Sequence, residues 1–164
     1  MSQETPPPER ATHEHPPPAM RIEEATTASE ELLAALAGLV AQLSSSAPAP
    51  DERRMREIVD SPASRLLLAR DEAGTVLGML TLALFPIPTG VRAWIEDVVI
   101  DERARGHGIA SALTQAALSL AAEQGARTVD LTSRPDRDAA NRLYAKLGFQ
   151  RRETNVYRYQ PPPA

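Results

Sequence analysis

The stretch from Ile95 to Leu118 constrains this chain most. An apolar strand, Ile95-Glu96-Asp97-Val98-Val99-Ile100, runs into a turn holding Gly106, His107 and Gly108, and then into a helix-forming run rich in Ala and Leu. Gly106 and Gly108 lack Cβ atoms, so the backbone there can take φ > 0 and approach a ligand closely. From Ile109 and Ala110 onward the amides open a helix, and its first N–H groups have no intrahelical acceptor while its dipole favours negative charge. Arg103 and Arg105 add planar guanidinium donors suited to phosphate. The unit reads as an anion site, although the glycine pair alone also suits a plain strand-to-helix turn with solvated arginines.

Spacing separates three phosphate-cradling loops. A Walker loop requires Gly-Lys-Ser/Thr, and no lysine stands near these glycines. A dinucleotide fingerprint requires a third glycine where this chain has Ser111, although Asp130 lies about where that fold places its ribose-binding acid. The third pattern, Arg103-x-x-Gly106-x-Gly108, resembles the pyrophosphate loop of the GNAT superfamily of acyl-CoA N-acyltransferases. A second segment supports it: Asn141-Arg142-Leu143-Tyr144 followed by Leu147-Gly148-Phe149 resembles the superfamily's Asn-x-x-Tyr…Leu-Gly-Phe. On a helix, Asn141 and Tyr144 share a face beside an apolar stripe of Ala140, Leu143 and Leu147, and Gly148 stops the helix. Taken singly, Tyr144 also reads as a packed aromatic and Asn141 as a locally bonded helix residue.

Around these motifs the chain reads as alternating elements. Residues 19–22 suggest a first strand, and Thr27-Ala28-Ser29-Glu30 a capping box for a helix through Leu32, Leu36, Leu39 and Leu43. Asp51 is expected to cap a short second helix. Two hairpin strands follow, residues 65–69 and 75–85, the second closed by Pro86 and Pro88. The strand 92–100, the glycine turn, a helix to about Glu123, a strand at 128–132, the Asn141/Tyr144 helix and a last strand near residues 153–159 complete the order. This is a mixed α/β pattern, and the resemblance covers residues 19–160. It implies a GNAT fold, with a central mixed twisted sheet of about six to seven strands flanked by about four helices. Residues 1–18, with two proline triplets, and the Pro-rich end 161–164 read as tails, and His13 and His15 as solvated tail residues.

The resemblance also implies a division of labour. Acetyl-CoA would be the cosubstrate, gripped by backbone and side chains of Arg103, Arg105, Gly106, His107, Gly108, Ile109 and Ala110, with Asn141 helping to hold it. Val98, Val99 and Ile100 would meet the pantetheine and acyl group through their strand edge. Tyr144 is expected to protonate the leaving sulfur. Glu96 is the better base of the adjacent acids Glu96 and Asp97, which alternation places on opposite faces of the strand. An acid paired to Arg92 is the competing reading, and water can also serve as the base. Arg142 is the one further arginine beside a motif residue. Trp94, the single tryptophan, reads as a core or rim aromatic.

Composition narrows the classes. A net charge of −4 and a pI near 5.4 argue against nucleic acid as a partner and suit a cationic acceptor. The absence of cysteine excludes a thiolate nucleophile and a Cys-based metal site, and no metal is expected. Without a basic segment followed by an apolar one at the N-terminus, or a run of roughly 20 apolar residues, no membrane is expected and the cytoplasm is the default location. Three functions fit: acetylation of a small-molecule amine, acetylation of a protein or peptide, and acyl-CoA sensing without catalysis. A homodimer is compatible with the resemblance.

Overall fold

Leu66, Leu67, Leu68 and Ala69 are buried one after another, which happens only where a strand is covered on both faces. Around that strand the computed structural model describes residues 19–162. The tail 1–18, with its proline triplets and His13 and His15, lies outside the described residues, as do residues 163–164. The described elements are β1 (Met20–Glu24), α1 (Glu30–Leu43), α2 (Glu52–Val59), β2 (Ser64–Asp71), β3 (Val76–Ile87), β4 (Gly90–Ile100), a 3-10 turn (Glu102–Ala104), α3 (Ile109–Glu123), β5 (Ala126–Leu131) and α4 (Asp138–Lys146).

The sheet runs β1-β2-β3-β4-β5, antiparallel throughout except for the parallel pair β4–β5 joined by α3. Two apolar layers cover it. Leu80, Leu82, Leu84, Ala93 and Ile95 pack with Ile109, Leu113, Ala117 and Ala121 of α3. On the other face Leu66, Leu68, Met79 and Val99 pack with Leu32, Leu36 and Leu39 of α1 and Met55 of α2. Fully burying each Leu, Ile, Val or Met side chain among these contributes about 1.5–3 kcal/mol relative to exposure. This three-layer arrangement is the expected mixed α/β architecture, with the expected four helices but five strands among the described residues instead of six to seven.

Local chemistry moved two boundaries, and one expected strand is absent. The residue capping α1 is Ser29, whose side chain accepts from Leu32 N at 3.1 Å, so the capping pattern begins two residues later than Thr27. β3 runs on through Pro86 to Ile87, beyond the expected stop. Leu84 N points toward β2 and bonds Ala63 O, so two residues on the absent N–H of Pro86 falls past the end of β2, where no ladder bond is lost. The strand expected near 153–159 does not form: residues 151–162 are exposed and unpaired, with Tyr157 88% and Tyr159 83% accessible. Alternation supplies a strand face only when another strand and an apolar layer receive it, and this segment packs on neither.

Candidate functional site

β4 breaks its own regularity in the middle. Glu96 pairs with Thr81 and Val99 with Met79, three steps along β4 against two along β3. The extra residue is accommodated at a bulge where Asp97 takes φ 51, the one non-glycine residue with positive φ among those described. A left-handed backbone costs an L residue about 1–2 kcal/mol, least for Asp and Asn, whose short side chains bond locally. The bulge inverts the facing of the strand. Ile95 packs under α3, yet Val99, four residues on, packs under α1 and α2.

The parallel pairing with β5 ends at Ile95 opposite Leu131. From Val98 to Ile100, β4 therefore presents an edge toward β5 that no strand covers, at the place where an acyl-CoA arm is expected. On the β5 side, the Oγ of Ser133, two residues past the last paired position, is buried without a hydrogen-bond partner. Sequence reasoning missed Ser133, because a lone serine after a strand carries no distinguishing pattern.

At the end of β4 the backbone turns through residues 101–108. Asp101 accepts from Arg103 N at 3.0 Å, and its two oxygens take Arg103 Nε and Nη2, each at 3.1 Å. Those hydrogen bonds, the guanidinium's first among them, hold the Asp101 carboxyl at about 2, and the same contact raises the Arg103 pKa. Arg103 thus braces the turn through its own neighbour. Arg105 Nε reaches the Ile100 carbonyl at 3.4 Å, and His107 Nδ1 lies 3.2 Å from Ala104 O. Gln42, at the end of α1, accepts from Glu102 N at 2.9 Å and ties the turn to the helical layer.

Gly106 and Gly108 take φ 83 and φ 75, and a Cβ built on either would project into space with no heavy atom within 4 Å. Gly108 is the N-cap of α3 and offers no side-chain cap, and no acidic residue stands in the first turn. Ile109 is 1% exposed and belongs to the α3 core, and the Ala110 carbonyl accepts from Thr114 Oγ1 at 2.7 Å. What Ile109 and Ala110 offer a ligand is their amides. Unfilled donors, positive-φ glycines whose missing Cβ leaves the approach open, an uncovered strand edge and an unpartnered hydroxyl together fit an acyl-CoA.

The second segment behaves differently. Asn141 donates through Nδ2 to Arg134 O at 3.0 Å and Pro135 O at 3.4 Å, so its amide clasps the turn between β5 and α4. Tyr144 is half-buried, edge-on to Phe149 with ring centroids 5.7 Å apart and planes at 66°. Burial pushes its hydroxyl above the usual tyrosine pKa, with the Arg137 charge opposing, so it stays protonated at neutral pH. Gly148, φ 91, ends the helix, and Phe149 N returns to Tyr144 O at 3.0 Å.

On the α1/α2 face of the sheet, outside the apolar layer, lie the side chains of Arg92, Trp94 and Glu96. Arg92 is paired to Asp130 at 2.9 Å, and Thr128 Oγ1 reaches the same carboxylate at 3.2 Å. The sequence left open an Arg92 partner for Glu96, and the structure gives Arg92 to Asp130. Glu96 is exposed and accepts from the Trp94 indole at 2.8 Å.

The sequence profile of the acetyltransferase (GNAT) family matches residues 27–149. N-alpha-acetyltransferase 30 of Schizosaccharomyces pombe is 39% identical over 71 residues, 43% of this chain and 47% of that protein. Mycothiol acetyltransferase of Amycolatopsis mediterranei is 44% identical over 59 residues, 36% of this chain and 20% of that protein. The matched stretch therefore spans less than half the length of either curated relative. Among solved structures, an aminoglycoside acetyltransferase from an uncultured soil metagenomic sample superposes with a TM-score of 0.76 at 19% identity, covering 88% of this chain and 97% of that one. At that identity the likeness shows the fold.

Proposed function

The chain belongs to the acetyltransferase (GNAT) family, and on that premise we propose that it is an N-acetyltransferase that carries an acetyl group from acetyl-CoA to the primary amine of a small molecule, by direct attack with both substrates bound. The observation that carries this reading is the bulge at Asp97. It lies just beyond the end of the β4–β5 ladder at Ile95, where the β4 edge becomes uncovered, and Glu96, the last residue before it, stands beside that edge. Acetyl-CoA supplies an acyl group activated as a thioester.

The chain's own residues do the rest. Amides of Gly108 to Ala110 at the uncapped start of α3 hold the pyrophosphate, with Arg105 and His107 lining the turn. N–H groups of Val98 to Ile100 orient the pantetheine and stabilise charge on the acyl oxygen. Glu96 accepts the proton from the attacking amine, directly or through one water. The Tyr144 hydroxyl, kept protonated by its surroundings, delivers a proton to the departing sulfur. Asn141 maintains the β5–α4 turn that presents Tyr144. No group of three or more metal-ligating side chains occurs among the described residues, and none of these steps calls on one. No helix among them is long and apolar enough to cross a membrane.

A panel of small amines and N-terminal peptides, read by thiol release, tests the reading. The small-amine arm is expected to respond. A peptide response alone would favour protein or peptide acetylation, in keeping with the N-alpha-acetyltransferase name of the Schizosaccharomyces pombe relative. Tight acetyl-CoA binding without thiol release would leave a sensor. In Tyr144→Phe, kcat should fall about 100-fold with the acetyl-CoA Kd unchanged; unaltered turnover would remove Tyr144 from the proton-donor role.

A further inference from the structure

We propose that Trp94 is a positioning residue for Glu96, an inference that rests on the acid–base reading above. Two residues apart on β4, the side chains project from the same face. The indole Nε1–H donates to Glu96 Oε1 at 2.8 Å. Indole is a donor with no acceptor, so the pairing engages one carboxylate oxygen and leaves Oε2 free.

Trp94 is well placed to hold a neighbour still. It is half-buried, opposite Ala83 on β3 and Asp130 on β5, where the small Ala83 side chain leaves room for the indole. Glu96 is otherwise exposed, and a free glutamate at the end of a paired segment samples several rotamers. Arg92, on the same face, does not compete, because it is bound to Asp130, which Thr128 Oγ1 also contacts. Trp94 therefore restricts the carboxylate to one orientation at the lip of the uncovered β4 edge. The ring needs no contact with substrate to do so.

The test uses the full chain, acetyl-CoA and the best amine from the panel. Glu96→Gln should lower kcat about 100-fold. Trp94→Phe keeps the ring but loses the donor, and should lower kcat about 5- to 10-fold with the KM for acetyl-CoA unchanged. If Trp94 acts through Glu96, adding Trp94→Phe to Glu96→Gln costs nothing further. Full additivity, or a silent Trp94→Phe beside a damaging Glu96→Gln, overturns the positioning role and leaves the acid–base reading standing. A silent Glu96→Gln in an active enzyme overturns both. Because Trp94 is the single tryptophan, its emission reports the contact without kinetics. Glu96→Ala, which removes the acceptor at an exposed position that does not threaten folding, should shift that emission, and an unchanged spectrum overturns the contact.

Discussion

The starts of α1 and α2 and the start of α3 meet the same backbone problem in opposite ways. Ser29 accepts from Leu32 N and Asp51 from Arg54 N, at 3.1 and 2.7 Å, and each helix adds acid in its first turn, Glu30 and Glu31 or Glu52. α3 begins at Gly108 with neither device. Where a helix only has to be stable, its side chains fill the orphan amides and complement the dipole. On the proposed reading the first amides of α3 are kept for the cofactor, and the chain leaves them bare. Apolar packing then carries α3: Ile109, Leu113, Ala117 and Ala121 seat it on the sheet without a cap.

The sharpest way to break this contrast is Gly108→Val. A β-branched residue at φ 75 is strained by about 1–2 kcal/mol, and its methyl groups enter the space in front of the amides. Acetyl-CoA affinity should fall about 100-fold by calorimetry, through steric exclusion and backbone displacement. With nothing of the protein within 4 Å of the new Cβ, melting should drop by only a few degrees. Equal affinity would mean that the bare amides serve no ligand.

The same contrast explains what could be seen in the sequence. Gly106, Gly108 and Asn141-x-x-Tyr144 are local patterns, so the loop, the helix after it and the family were all legible. Asp51 was legible as a cap because capping is a short-range bond. The bulge at Asp97 was not, since one extra residue in a strand shows only against its partner, and β3 supplies that comparison. Spacing picked out Arg103, but not the pairing of its guanidinium with Asp101, two residues away. Likewise Trp94 read as a bland aromatic, because a side-chain bond between strand neighbours needs rotamers to reveal it. The alternation at 153–159 suggested a strand, but pairing is a tertiary event that alternation does not ensure.

A change at a capped helix start should touch stability alone, where Gly108→Val touches mainly binding. Asp51→Ala removes the acceptor for Arg54 N and leaves that amide to solvent. Stability should fall by about 1 kcal/mol in urea unfolding, and the acetyl-CoA Kd should stay within about twofold. Loss of binding would show that α2 and the glycine turn are coupled, and that caps and bare amides are not separable.

The smallest expected effect is the most discriminating, because it gives α3 what α1 and α2 already have. Ser111 stands in the first turn of α3, half-buried and without a capping bond. Ser and Asp have similar helix propensities, so Ser111→Asp changes mainly the charge near the dipole. A carboxylate there should stabilise the fold by about 0.3–1 kcal/mol. The same carboxylate repels a phosphate from the amides beside it, so acetyl-CoA should bind about 5- to 10-fold more weakly, an effect that shrinks with added salt. Opposite signs in the two measurements would mean that the start of α3 gives up stability for an anion. A gain in stability with binding unchanged or tighter would mean that its bare amides are only an unfinished cap.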